Sequence, residues 1–384
     1  MQRPVATRAR ALTTKGTKIT KSFFASCPSR ASWLGALLLI ALTGAAALAA
    51  GRTLDIYFID TEGGQATLLV SPSGETFLID VGFAGLDTPN PDKDVGRDAA
   101  RIADVARLAG VKRIDALLVT HFHGDHAGGI AQLTLPVRTF VDHGPALQDV
   151  PTLKQKSGAY AEDWAAAFAR AKHIVVSAGD RIPVKGLDVT VIEALGKPIT
   201  RAGAANPYCT DIPKRPDGNP EDTASVGVVV QYGRFRFANL GDLPWNQEVA
   251  LLCPQNRVGT IDVYEAAGHG REPTPAAHAM QPRIAVLDNG ARKGGGAATL
   301  QAFRKAPGFE DLWQLHKNVM GGVDGNPADS FSANLEDTDN TTHPAHYLKV
   351  SAGDDGSFTV FNSRTNETKR YAARKAATRS NQTR

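Results

Sequence analysis

Three histidines and an aspartate fall within six residues at His121-Phe-His123-Gly-Asp125-His126. No other stretch of the 384-residue chain is as dense in metal ligands, and the chain holds only 10 histidines in all. A cluster this tight argues for a metal site over a polar loop with chance histidines. The run before it, residues 114–120, is short, apolar and β-branched, and reads as a buried strand. The small residues 127–130 after it can open a helix. The cluster therefore belongs on a strand-to-helix loop, where side chains converge without being tied to one helix face. His121 and His123 are two apart, so in an extended segment they point the same way. Neutral imidazole suits zinc and other borderline metals. Asp125 and His126 lie past a sharp turn at Gly124 and face a second ion more naturally than the first.

This cluster resembles the signature of the metallo-β-lactamase-fold hydrolases, and other pieces follow in that family's order. Phe235-Arg-Phe-Ala-Asn-Leu-Gly241-Asp242 is similar to the strand whose terminal aspartate bridges two metals. Ala267-Gly-His269-Gly270 resembles the strand end that supplies the last histidine. Phe58-Ile-Asp60-Thr-Glu-Gly-Gly-Gln65 and Leu78-Ile-Asp80-Val-Gly82 look most like the opening hairpin of the branch containing the hydrolase domain of the competence protein ComEC. The resemblance implies an α/β fold, the four-layer αββα sandwich, with two mixed sheets face to face and helices outside. It implies that His121 and His123 hold one Zn²⁺, that Asp125, His126 and His269 hold a second, and that Asp242 bridges them. Asp80 would fix the loop that carries the cluster. The implied chemistry is a metal-bound hydroxide attacking an ester, lactone, amide or phosphodiester, with Asp125 able to accept a proton.

One departure stands out. Much of the family places a further metal-binding histidine shortly before the bridging aspartate, but here that segment reads Pro220-Glu-Asp-Thr-Ala-Ser225. His143, at the end of an expected strand over 139–142, is the best substitute. The competing reading of His143 is a strand-end histidine that hydrogen-bonds locally. Two zinc ions are expected, or one if no substitute serves.

Residues 1–32 carry seven basic residues and no acid, and an apolar, alanine-rich run over 33–50 follows. That pattern reads as a secretory signal over 1–50, cleaved near Ala49 or Ala50. The rival is an uncleaved anchor, because the run approaches the ~20 residues that span a bilayer. Cleavage would leave no stable membrane insertion and a periplasmic or secreted protein. The whole chain has 43 basic and 39 acidic residues; without the seven, 36 face 39 and the net charge is near −3. The basic pI of 8.9 therefore belongs to the precursor and gives no support for a nucleic-acid-binding surface. Cys209 and Cys253 remain, an even number in a compartment that permits disulfides, and a bond between them would staple a loop bordering the site.

The rest divides into a hydrolase-like domain over 51–300 and a C-terminal extension with a basic tail over 301–384. Strands are expected over 54–60, 66–70 and 76–80, and a helix over 97–109 with apolar residues at helical spacing and Gly110 as its stop. A helix over 157–171 carries Trp164 and Phe168 as core residues. The Pro/Gly-rich stretch 196–222 is long enough to be a substrate-gating loop. Arg292 and Lys293, beside three glycines at a strand end, are candidates to hold an anionic substrate group. Beyond 300, helices are expected over 300–305 and 310–316 and strands over 347–351 and 357–362. His316 and His343 read as surface or structural residues. Three functional classes remain: a secreted metallohydrolase of a small molecule; an extracellular nuclease or phosphodiesterase of the ComEC type, which would bind DNA with steep salt dependence; and a di-iron redox or purely metal-binding protein of the same fold.

Overall fold

In the computed structural model, which describes residues 52–85, 95–147, 166–167, 169–337 and 345–375, the strands follow one another in chain order. They are β1 (Leu54–Phe58), β2 (Thr67–Val70), β3 (Thr76–Ile79), β4 (Ala116–Leu118), β5 (Thr139–Asp142), β6 (Lys172–Val175), β7 (Arg181–Ile182) and β8 (Asp188–Ala194). Then come β9 (Gly227–Tyr232), β10 (Phe235–Asn239), β11 (Val263–Glu265), β12 (Ile284–Leu287), β13 (Asp311–His316) and β14 (Ser332–Asn334). The last three are β15 (Leu348–Ala352), β16 (Phe358–Asn362) and β17 (Glu367–Tyr371). The first sheet has the order β17-β16-β15-β1-β2-β3-β4-β5-β6, and the second runs β14-β13-β12-β11-β10-β9-β8-β7. Both are mixed. β3 to β6 pair in parallel, as do β10 to β14, and the rest of each sheet is antiparallel.

Alternation of side chains along the strands sets the layers. Leu118 points between the sheets and joins Phe58, Phe77, Val228, Phe237 and Val286 in one buried cluster. Its neighbour Leu117 points outward and packs against Ile102, Val105 and Ala106 of the helix α1 (Arg97–Leu108). The second sheet likewise turns Tyr264 and Ala285 outward onto α2 (Trp245–Leu252) and α3 (Ala297–Arg304) through Leu251, Leu252, Leu300 and Phe303. The result is the four-layer αββα sandwich.

Of the two roles open to the C-terminal extension, completing the domain or decorating it, its described residues take the first and complete both sheets. β13 and β14 extend the second sheet in parallel pairing from β12, and β15 inserts beside β1 at the heart of the first. The expected helix over 310–316 is the strand β13, buried along nearly its whole length. Six residues with apolar side chains on both faces fit a strand buried on two sides as well as they fit a helix turn, and parallel pairing with β12 decides the case. The segment 1–50, most of the expected helix over 157–171 with Trp164 and Phe168, and His343 lie outside the described residues. Among the described residues no helix is long and apolar enough to cross a membrane.

Cys209 and Cys253 are joined by a disulfide. Titrating the unfolded, unreduced full chain should find one thiol, that of Cys27. Cys209→Ser should lower the unfolding free energy by about 2–4 kcal/mol, read from urea transitions; three titratable thiols would overturn the bond.

Candidate metal centre

Residues 119–127 leave β4 as an extended segment and then coil into one helical turn, Gly124–Ala127. The segment is held from three sides. Thr120 donates from its backbone N–H and its hydroxyl to the two oxygens of Asp80, at 2.8 and 2.7 Å. Val81 donates to the His126 carbonyl at 2.7 Å, and Gln65 to the Asp125 carbonyl at 2.9 Å. Gly64 approaches that carbonyl so closely that a Cβ would lie 2.6 Å from it, so only glycine fits there. These clamps bring the four side chains of the cluster to one point.

Two other chain turns deliver the remaining groups. After β10, Gly241 takes φ 54° and Asp242 follows, its N–H donating to Ser225 Oγ at 3.2 Å. After β11, Gly268 and His269 both adopt left-handed backbone, with φ 61° and 58°.

The donor atoms form two linked groups. His121 Nε2 and His123 Nδ1 stand 3.0 Å apart, and Asp222 Oδ1 lies 3.0 Å from His123 Nδ1 and 3.6 Å from His121 Nε2. Facing them, His126 Nε2 and His269 Nε2 stand 3.2 Å apart. Asp125 Oδ2 lies 3.1 Å from His269 Nε2 and 3.7 Å from His126 Nε2. Asp242 Oδ1 is 3.3 Å from His126 Nε2 and 3.4 Å from His269 Nε2, and it also groups with His121. Asp242 is thus the residue that faces both halves.

The residues fit a metal. Imidazole nitrogens turned toward each other at 3.0–3.2 Å present lone pair to lone pair unless a proton or cation lies between them. Asp222 Oδ1 and Asp242 Oδ1 are buried without a hydrogen-bond donor among the described residues. Nitrogen and carboxylate oxygen in this mixture are borderline-metal ligands. Carboxylates also stand behind the second pair of histidines. Asp80 Oδ2 is 2.8 Å from His126 Nδ1, and Asp288 Oδ2 is 3.2 Å from His269 Nδ1. The first is a hydrogen bond that fixes the His126 tautomer with Nε2 inward; the second places a negative charge behind His269 without hydrogen-bonding it.

The electrostatics agree. Burial works against a charge on His126, but Asp125, Asp242 and Asp80 outweigh it and push its pKa well above the ordinary value. Burial is likewise outweighed at His269, where Asp242 and Asp288 raise the pKa to about 9. For Asp242 burial favours the neutral acid, yet His269 and His126 hold its pKa well below the ordinary carboxylate range. The site is a concentration of negative charge that demands positive partners, which imidazolium protons or metal cations supply.

Several expected residues sit elsewhere in the network. His143 does not reach the ligand atoms: its Nε2 is spent on Glu221 Oε1 at 3.0 Å. The same carboxylate oxygen accepts from the Phe122 N–H at 2.9 Å, so His143 and Glu221 buttress the loop. The missing ligand is supplied instead by Asp222, on the turn Pro220–Thr223, one residue on from Glu221. Asp222 occupies the very segment where the family's histidine was sought; a search for any carboxylate there would have found it. Asp288 escaped as well, although its setting before Asn289-Gly290 repeats that of Asp80 before Val81-Gly82.

Of the two candidate cations, Lys293 Nζ contacts Asp125 Oδ2, whereas Arg292 turns away and forms an exposed ion pair with Asp337. A different arginine takes the position over the site. Arg271 Nη2 donates to the Asp242 carbonyl at 2.9 Å and lies 3.9 Å from Asp222 Oδ2. His316 is structural, buried and bonded to Asp60 at 2.6 Å.

The stretch 196–222 is no free gate. Asn206 Nδ2 donates to the Leu252 and Ala276 carbonyls, Trp245 Nε1 to the Pro213 carbonyl, and Asn246 to the Arg215 carbonyl. With the disulfide, these bonds pin it to α2.

Residues 60–195 match the family model of the metallo-beta-lactamase superfamily. No curated protein matches the chain significantly. Among solved structures, the chain resembles the metallo-beta-lactamase fold protein YhfI from Bacillus subtilis, at 10% identity over 68% of this chain and 95% of that one, with a TM-score of 0.39. It also resembles Tm1679, described as a metal-dependent hydrolase of the beta-lactamase superfamily, at 15% identity over 69% and 97% of the two chains, with a TM-score of 0.40. A third is CmlA, a diiron beta-hydroxylase from Streptomyces venezuelae, at 11% identity over 68% and 48%, with a TM-score of 0.34. The family match begins at Asp60 and runs through the histidine cluster to residue 195, so this part of the chain carries the pattern of the metallo-beta-lactamase superfamily.

Proposed function

We propose that the protein is a dinuclear zinc hydrolase of the periplasm or the cell exterior, acting on an ester, lactone, amide or phosphodiester of a small molecule. The observation that carries the reading is Asp242, whose Oδ1 faces two groups of ligand atoms at once. His121, His123 and Asp222 would hold one cation, and Asp125, His126 and His269 the other. Bound there, such ions acidify a water and polarise the oxygen of a substrate carbonyl or phosphoryl group.

The chain's own residues supply the rest. Asp80 keeps His126 in the ligating tautomer, and Asp288 sets negative charge behind His269. Lys293 holds Asp125 ionised, the form in which its carboxylate serves as a ligand, and this opposes the expected role of proton acceptor. Burial alone would favour neutral Asp125, but Lys293 and His126 keep its pKa well below the ordinary range. Arg271 and Lys293, on two sides of the cluster, favour a substrate that gathers negative charge as it reacts. The signal-like residues 1–50 and the disulfide support a location outside the cytoplasm.

The test is elemental analysis of the purified full chain. Close to two zinc ions per chain are expected in the native protein, with strong depletion in His121→Ala and Asp242→Ala. Iron in place of zinc would move the reading to redox chemistry. A metal-free protein that stays metal-free after incubation with Zn²⁺ would defeat it.

A further inference from the structure

Beside the metal centre lies a pocket of about 280 Å³ whose wall includes Leu243, Pro244, Trp245 and Pro273. Leu243 directly follows Asp242 in the chain, and Arg271 belongs to both places, lining the pocket while its Nη2 bonds the Asp242 carbonyl. The pocket and the metals therefore adjoin, with one guanidinium at the boundary.

Two arginines and two glutamates line the pocket, and they pair unevenly. Arg215 lies over the Trp245 ring, 3.4 Å from its centroid, and is neutralised by Glu272 at 3.0 Å. Arg271 is turned to Asp242. That leaves Glu248, only 4% exposed. Its Oε2 accepts from the Thr274 N–H at 3.0 Å, while Oε1 is buried with no hydrogen-bond partner among the described residues. A carboxylate oxygen left this way is costly, and a structure tolerates it where a ligand completes the set. Burial pushes the Glu248 carboxyl up to about 7, so an incoming cation would draw it to the ionised form.

We propose that this pocket seats the non-reacting end of the substrate, and that this end is an apolar body carrying an ammonium or amidinium group directed at Glu248. Leu243, the two prolines and the part of Trp245 not covered by Arg215 would hold the body, and the scissile group would then extend past Arg271 to the metals. Naming the occupant a substrate rests on the hydrolase reading; the preference for a cation does not.

The probe is benzylammonium, with benzyl alcohol as the neutral ring of the same shape and benzoate as the anion. Binding to the metal-loaded full chain is followed by calorimetry and by Trp245 fluorescence. Benzylammonium should bind at least about tenfold more tightly than either control, the size expected of one charged hydrogen bond. Glu248→Gln, which keeps an oxygen for the Thr274 N–H, should lose that advantage while its metal content stays native. Trp245→Phe should abolish the fluorescence response. His121→Ala should still bind benzylammonium, so a failure of the metal reading leaves this result intact. Equal binding of benzylammonium and benzyl alcohol by the native protein would overturn the proposal, as would undiminished affinity in Glu248→Gln. If Glu248→Gln does not fold, the native protein's selectivity and the Trp245→Phe response decide the matter.

Discussion

Asp222→Ala should remove one of two bound cations and leave the other in place. Without that carboxylate, the first group keeps His121, His123 and the shared Asp242, a weaker site for a borderline metal. Loss of partners one shell further out already costs about 10–100-fold in affinity, so loss of a ligand should cost at least about 100-fold, with hydrolysis falling by a similar factor. The second group, Asp125, His126 and His269, does not touch Asp222 and should hold its ion. Asp222→His should restore the first position, because an imidazole would stand where much of the family carries one. His143→Ala should keep both ions, since its Nε2 is committed to Glu221. Chelator competition followed by elemental analysis reads all three variants. Two ions retained by Asp222→Ala, or one lost from His143→Ala, would reverse the assignment of the missing ligand.

Glu193→Gln should make the protein more stable at pH 9 and barely change it at pH 4. Glu193 lies near the end of β8 with no exposed surface, and neither carboxylate oxygen has a partner among the described residues. Burial raises its pKa from 4.5 to about 8. The folded protein therefore binds this proton more tightly than the unfolded chain does. Below pH 4.5 both states are protonated and the group costs nothing. From there the unfolded state ionises first, so stability falls as pH rises, and the loss is complete above about 8. The full effect is on the order of 3–5 kcal/mol, which the neutral amide would remove. Glu265, whose pKa burial likewise raises to about 8, adds to the same slope and stays in the variant. Urea transitions at pH 5, 7 and 9 give the comparison; the same pH slope in both proteins would exclude ionisation of Glu193 as its source.

The parts of the fold that sequence exposes are those whose side chains carry one consistent period. The helix over 97–109 and the strands over 76–80 and 139–142 show it, and α1, β3 and β5 lie there. β13 does not, because a strand buried on both faces has no polar side to mark its period. β17 stays hidden for the opposite reason, with four of its five residues exposed. At the site, the cluster around His121 is legible because its ligands are neighbours in sequence and the nearby backbone does the rest. Asp222, Asp288 and Arg271 are ordinary residues one at a time and acquire meaning only where three separate turns meet. Arg292 shows the reverse limit: a residue next to Lys293 in sequence can point the other way, since consecutive side chains in extended chain face opposite directions.

The position of β1 has a consequence for how this protein comes into being. Leu54 pairs with Ala352, so the first of the described strands is hydrogen-bonded along one edge by β15, far along the chain. Until residues 348–352 leave the ribosome, that edge presents unpaired N–H and C=O groups to any other chain. Ordering contacts so distant in sequence is slow, and a chain waiting on them is prone to associate wrongly. A nascent copy cut short after its histidine cluster would hold metal ligands but lack the strand that closes the sheet beneath them. Synthesis of this protein thus has a point of no shortcut, the arrival of β15, at which a sticky intermediate becomes a finished sandwich.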